Sequence, residues 1–206
     1  MNILITGGGG DIAQAIANEL ASDNLVFSPL RGELDVTSSS SVDSYFTKIG
    51  LIDTLINCAG YINPSTIKNS EIEDIEKHFA INVIGAIRCT KKAIAQGCST
   101  IINIGSTSAF EGREGWGSYC ASKAALLSFT ETLAKEGIHS YGIHPAKTKT
   151  KMRKSLFNLE DESQLMSPAR VGFFVRKVLN NEYSNGSQII LKKDRYYVVP
   201  PREVFK

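Results

Sequence analysis

Tyr119 and Lys123 stand four residues apart in SYCASK (118–123), a stretch otherwise built of small side chains. On a helix this spacing puts both on one face. An ammonium beside a phenol favours the phenolate and draws its pKa down from a reference of about 10 toward working pH. A tyrosine so placed can give a proton to a carbonyl oxygen or take one from an alcohol. A second stretch with chemistry in it is TGGGGDIA (6–13). Gly8 and Gly10 would let the backbone approach a pyrophosphate, with Gly7 beside them and Asp11 and Ile12 opening a helix whose N–H groups carry the negative charge. Ala13 takes the last place of G-x-G-x-x-G, where a small residue suffices for helix-to-sheet packing. A flexible glycine turn without a ligand is the competing reading.

These residues need a scaffold, and the hydrophobic pattern supplies one. NILIT (2–6) is a compact apolar run, and DIAQAIANEL (11–20) repeats apolar residues at helical spacing. NLVFS (24–28) and GELDV (32–36) read as the second and third strands. Ser40 and Asp43 cap a helix to about residue 49, and IDTLIN (52–57) follows as a strand. Residues 69–96 are helical throughout by periodicity, with Ser70 and Glu73 as a capping box, and STIINIGS (99–106) is a buried strand. The helix of Tyr119 and Lys123 comes next, then strand and turn at 137–145. Ser167 and Pro168 open a last helix over 169–181, and 187–199 suits a hairpin turning at 192–194. Apolar strands without strict alternation, separated by amphipathic helices, predict an α/β fold: a doubly wound, mostly parallel sheet in a single domain over 1–206. Residues 145–206 form its substrate-side extension.

In such a fold, the end of the second strand selects between dinucleotides. Here it reads FSPLRG (27–32), with no acid. Ser28 and Arg31 favour the 2′-phosphate of NADP(H), NAD(H) staying open, against the reading that Arg31 is merely solvated. Asp35 comes too late for the 2′-hydroxyl and suits the adenine side.

Taken together, TGGGGDIA, LDV (34–36), NCAG (57–60), Asn82, Ser106, the Tyr119/Lys123 pair and HPAKTKT (144–150) resemble the short-chain dehydrogenase/reductase family. The likeness runs over roughly 1–190 and implies a Rossmann fold and an NAD(P)-dependent interconversion of carbonyl and alcohol. It implies that Asn82, Ser106, Tyr119 and Lys123 form the catalytic set. Ser106 would orient the substrate oxygen, Lys123 would also hold the nicotinamide ribose, and Asn82 would support a proton-returning water chain. Val36, Asn57, Ala59, Gly60, Pro145, Thr148 and Thr150 join the cofactor set, and Thr107, Phe110 and Trp116 the substrate side. A homodimer or homotetramer through the helices at 70–96 and 118–136 is implied, aided by Ile84, Ile87, Leu126 and Phe129. The pattern departs from the family where no second helix separates strands two and three, at Cys58 within NCAG, at HPA, and in the missing closing glycine pair.

Composition bounds the rest. With 206 residues and 42% hydrophobic content, the chain suits one well-buried core. The opening has neither a basic leader nor a membrane-length apolar run, so a cytoplasmic protein without membrane partner is expected. Cys58, Cys89, Cys98 and Cys120 lack metal-ligand spacing and read as reduced thiols, with no metal site. Residues 147–206 hold 13 Lys/Arg against 6 Asp/Glu, too weak and too poor in interleaved aromatics for a nucleic-acid surface. Five of those cations fall in KTKTKMRK (147–154), which could receive an anionic substrate or be a solvated loop. A nucleotide-sugar epimerase or dehydratase, or an NADP-binding regulator without turnover, are the alternatives. The first generally needs a larger C-terminal domain; the second usually loses the Tyr/Lys pair.

Overall fold

The computed structural model describes residues 1–201. Strand β1 (Asn2–Ile5), helix α1 (Asp11–Leu20) and strand β2 (Leu25–Phe27) form the expected opening. In β1, Ile3 and Ile5 enter one core and Leu4 the other, and all three are fully buried. A strand covered on both faces has no polar side to alternate with, and each such side chain contributes about 1.5–3 kcal/mol by leaving water.

The expected third strand at 32–36 is absent. Residues 28–38 contain turns and no helix or strand, and β2 remains the sheet edge with β1 as its neighbour. Leu34 and Val36 are buried against α2 (Ser39–Ile49) with Asp35 between them, an alternation that imitates a strand. The cap of α2 is Ser38, whose hydroxyl accepts from the Ser41 N–H at 3.2 Å, two residues ahead of the expected Ser40.

Strand β3 (Thr54–Asn57) leads to α3 (Ile72–Phe79), a π-helical segment (Ala80–Gly85) and α4 (Ala86–Ala95), where periodicity alone predicts one uniform helix. The Ser70/Glu73 box does not form: α3 has no side-chain cap, and Ser70 donates to the Thr66 carbonyl at 2.9 Å. Strand β4 (Thr100–Ile104), α5 (Gly117–Lys135), β5 (His139–Pro145), α6 (Lys151–Leu156), α7 (Ala169–Leu179) and the hairpin β6 (Gln188–Leu191) and β7 (Tyr196–Val199) complete the fold.

The sheet order is β2-β1-β3-β4-β5-β6-β7, parallel except for β7. One core packs α1 and α7 on one face; the other packs α2, α4 and α5 on the opposite face. The chain leaves β1 for β2 on one side and returns as β3 on the other. That reversal opens a crevice at the carboxyl ends of β1 and β3, where ligands of open α/β sheets bind. No helix among the described residues is long and apolar enough to cross a membrane.

Candidate active site

The glycine turn is wedged against both neighbouring strand exits. Gly7 has φ +74°, and a Cβ there would stand 2.8 Å from the Ala59 backbone. A Cβ on Gly8 would meet the Ser28 carbonyl oxygen at 2.1 Å, and the Gly8 N–H already donates to Pro29 at 2.9 Å. Gly8 is therefore fixed by packing, and its amide is spent inside the protein. Thr6 closes the other side, its hydroxyl accepting from the N–H groups of Cys58 and Ala59 at 3.0 and 3.1 Å. No side chain caps α1 at Gly10, which leaves the first-turn N–H groups open to an anion.

A cavity of about 580 Å³ begins at this turn. Gly7, Gly10, Asp11, Ile12, Arg31, Asp35, Val36, Ala59, Gly60, Tyr119, Lys123 and Thr150 line it, so the fold brings these positions together around one space. At one end Arg31 pairs with Asp35 at 3.3 Å. Hydrogen bonds from Thr37, and then the Arg31 charge, hold the Asp35 carboxyl below its ordinary range. Ser28 does not line the cavity; its hydroxyl is buried without a protein partner. Asn57 also lies outside it, 4% exposed, donating to Thr90 and to Asn103 across the β3–β4 register at 3.0 and 2.9 Å.

At the other end are Tyr119 and Lys123, one turn apart on α5. Lys123 is 5% exposed, and its Nζ donates to the Ile104 carbonyl at 2.9 Å. Burial pushes its pKa down to about 8. The same Nζ lies 5.9 Å from the Tyr119 ring centre. Burial raises the Tyr119 phenol above its ordinary value, opposed by the neighbouring Ser106 side chain and the Arg113 charge. The expected lowering by Lys123 is not what governs the phenol in the free protein, because the ammonium is turned toward Ile104.

Asn82 sits in the π-helical segment, 1% exposed and outside the cavity walls. Its Oδ1 accepts from the Tyr61 N–H at 2.7 Å, and its Nδ2 donates to the Tyr61 carbonyl and to Ser122 Oγ, both at 2.9 Å. Ser122 Oγ in turn donates to the Tyr119 carbonyl at 2.8 Å. The amide thus clamps the β3 exit to the helix turn carrying Tyr119. A π turn widens the helix by one residue, and such turns recur where a side chain must be re-aimed.

A smaller cavity of about 110 Å³ adjoins on the far side of Tyr119, lined by Ser106, Thr107, Trp116, Pro145, Thr148 and Thr150 among others. Phe110 is not in its wall; the ring packs edge-on against His144 with centroids 4.9 Å apart. Met152, within the substrate-side extension expected at 145–206, also lines this cavity. Sequence reasoning missed Arg113, which lines it too, and Lys77, whose Nζ stands 4.3 Å over the Tyr61 ring beside the larger one. Only its proximity to Tyr119 in sequence could have flagged Arg113. Cys58 lines the larger cavity as a protonated thiol, burial pushing it up to about 12.

The basic run is largely neutralised. Lys147 and Arg153 pair with Glu160 at 3.3 and 2.5 Å, and Lys149 and Lys154 with Glu162 at 2.8 and 3.7 Å. Lys151, at the mouth of the larger cavity, is the one cation of the five with no ion pair among the described residues.

Residues 28–161 match the family model described as short chain dehydrogenase. The chain is 32% identical over 170 residues to carbonyl reductase family member 4 of Xenopus laevis, covering 77% of this chain and 69% of that protein. It is 27% identical over 175 residues to the bifunctional ribulose 5-phosphate reductase/CDP-ribitol pyrophosphorylase of Haemophilus influenzae, covering 79% of this chain and 37% of that longer protein. Among solved structures, a small-chain dehydrogenase in complex with NADPH superposes with a TM-score of 0.84 at 21% identity, over 94% of this chain and 97% of the other.

Proposed function

This chain belongs to the short-chain dehydrogenase family of oxidoreductases, and from that premise we propose that it interconverts a carbonyl and an alcohol by hydride transfer with NADP(H), Tyr119 being the general acid and base. The observation that carries this reading is the meeting of Tyr119, Lys123 and the glycine turn on the walls of one cavity of about 580 Å³. The residues fit a dinucleotide. The uncapped start of α1 would take the pyrophosphate, Gly7 and Gly10 line the cavity beside it, and Arg31 reaches the far end for a 2′-phosphate. Asp35 beside Arg31 keeps NAD(H) as the lesser cofactor.

The bound nicotinamide supplies or accepts the hydride. Ser106 donates to the substrate oxygen and holds it beside Tyr119. A half-buried phenol with a raised pKa is protonated at neutral pH, the state needed to hand a proton to the developing alkoxide. In the reverse direction it must lose that proton, and the Arg113 charge favours the phenolate. Lys123 holds the ribose hydroxyls, turning from Ile104 to do so. Asn82 acts by fixing the helix turn of Tyr119. Ile84, half exposed on the π-helical segment, supports assembly through these helices; Leu126 is spent on the chain's own core and adds nothing to it.

The test is a panel of ketones, acyl thioesters and sugars with NADPH and NADH, followed by loss of reduced-cofactor absorbance. Tyr119→Phe should lower kcat by on the order of 10²–10⁴ and leave cofactor affinity within a few fold. Activity retained in Tyr119→Phe would remove the general acid from the scheme.

A further inference from the structure

The smaller cavity beyond Tyr119 has an unbalanced wall. Two arginines, Arg113 and Arg153, line it, and no aspartate or glutamate does. Their acidic partners stand outside: Glu111 accepts from Arg113 Nη2 at 2.8 Å, and Glu160 takes Nε and Nη2 of Arg153 at 2.5 and 2.7 Å. Arg113 keeps Nε and Nη1, and Arg153 keeps Nη1, without a protein acceptor among the described residues. The remaining wall around Ser106 and Tyr119 is mainly apolar, with Trp116 and Met152 beside the arginines.

Resting on the hydride-transfer reading above, we infer that the substrate is a small carbonyl compound bearing an oxyanion, whose charge is received by Arg113, with Arg153 Nη1 as a further donor, while its carbonyl lies between Ser106 and Tyr119. A neutral ketone would leave those guanidinium donors facing an apolar wall, which disfavours its binding. Guanidinium forks suit both carboxylate and phosphate, so the common feature is the oxyanion. Glu111 competes little, since its side chain is 65% exposed and a pair in water is weak. Arg113 holds its place through a hydrogen bond to Thr107 at 3.3 Å and a cation–π contact at 5.7 Å from the Trp116 ring. Its charge also acts on the Tyr119 phenol, so an oxyanion seated there couples recognition to the acid.

Trp116 is the sole tryptophan of the sequence and lines this cavity, so its fluorescence reports occupancy without turnover. With and without NADP⁺, the protein is titrated with acetoacetate against ethyl acetoacetate, and with dihydroxyacetone phosphate against dihydroxyacetone. A saturable change is expected for one or both charged members, at least about tenfold tighter than the neutral partner. The stronger charged probe separates carboxylate from phosphate. Arg113→Gln should remove that advantage, and Arg113→Lys should restore part of it. Equal response to charged and neutral probes, or an advantage untouched in Arg113→Gln, overturns the inference. Turnover of neutral ketones with NADPH is measured in parallel. If it is present while the charge advantage is absent, the oxyanion site fails and the hydride-transfer reading stands; if oxyanions bind and no carbonyl turns over, the reverse holds.

Discussion

The Asp11 carboxylate accepts a hydrogen bond from the backbone N–H of Lys151 at 2.7 Å, joining the first residue of α1 to the first residue of α6. One end of the glycine turn is thereby tied to the helix that walls both cavities. The same carboxylate belongs to the uncapped first turn of α1, so its charge would oppose an anion bound at those amides.

Separating those two effects gives the first prediction. Asp11→Asn keeps an acceptor for Lys151 and removes the like charge, and should tighten NADPH by roughly 0.5–1 kcal/mol, a few fold in Kd. Asp11→Ala removes the acceptor of the Lys151 N–H, leaving the Thr150 cap of α6 in place, and should raise KM for the carbonyl substrate. Calorimetric titration decides it; weaker cofactor binding in Asp11→Asn would mean that the carboxylate itself holds the cofactor.

The second prediction concerns cofactor choice. Arg31→Ala should lose most of a preference for NADPH over NADH, on the order of tenfold, since one charge-assisted contact to a 2′-phosphate is removed. Asp35→Asn frees Arg31 from its 3.3 Å pair and should sharpen the preference. Fluorescence titration with both reduced cofactors reads each change. An Arg31→Ala protein with an unaltered ratio would transfer the selectivity elsewhere.

What was legible in the sequence follows from what each device depends on. Gly7, Tyr119 and Lys123 act through local geometry, a turn and a single helical step, so spacing alone located them. The sheet was readable because Ile3, Leu4 and Ile5 are buried on both faces. The false strand at 32–36 shows the limit: Leu34 and Val36 alternate with Asp35 because they pack on a helix, and no neighbouring strand pairs with them. The π turn around Asn82 is invisible to a 3.6-residue period. The pairing of Lys149 with Glu162, or of Asp11 with Lys151, depends on how the loop folds back. The position of Ser28 depends on the same kind of folding back: it does not line the cavity, and its buried hydroxyl has no partner among the described residues.

The third prediction is that Lys123→Met stabilises the free protein at pH 7 while disabling it. The Lys123 pKa falls from 10.5 to about 8 on folding because burial disfavours the charge. Below pH 8 the folded chain carries that penalty in full. Between pH 8 and 10.5 the unfolded chain binds more protons than the folded one, so stability rises with pH and the penalty fades. Methionine has no such term but leaves the Ile104 carbonyl without its donor. The net gain should be about 1–2 kcal/mol at pH 7, shrinking across pH 8 to 10.5. Denaturant melts at several pH values test it, and a loss of stability at pH 7 would mean that the Ile104 hydrogen bond outweighs burial.

The fourth prediction is acid sensitivity centred on His144. Its ring is 1% exposed, its Nε2 lies 2.7 Å from Gln188 Oε1, and burial depresses its pKa from 6.5 to about 4. Between these values the unfolded chain takes up a proton that the folded chain refuses. Stability is therefore fully present above pH 6.5 and is lost as pH falls toward 4, by up to about 3 kcal/mol from this residue. A Cβ at Gly105 would stand 2.2 Å from His144 Nδ1, so the ring is packed directly beneath the residue preceding Ser106. The folded ring takes up its charge only near and below pH 4, and there it should displace Ser106 and lower kcat. His144→Asn retains a polar side chain, does not titrate, and should flatten this part of the stability profile even if its smaller volume costs stability at every pH. The measurement is the difference between wild-type and variant unfolding free energies from pH 7 to 4. A difference that does not change with pH would show that His144 is not the group responsible.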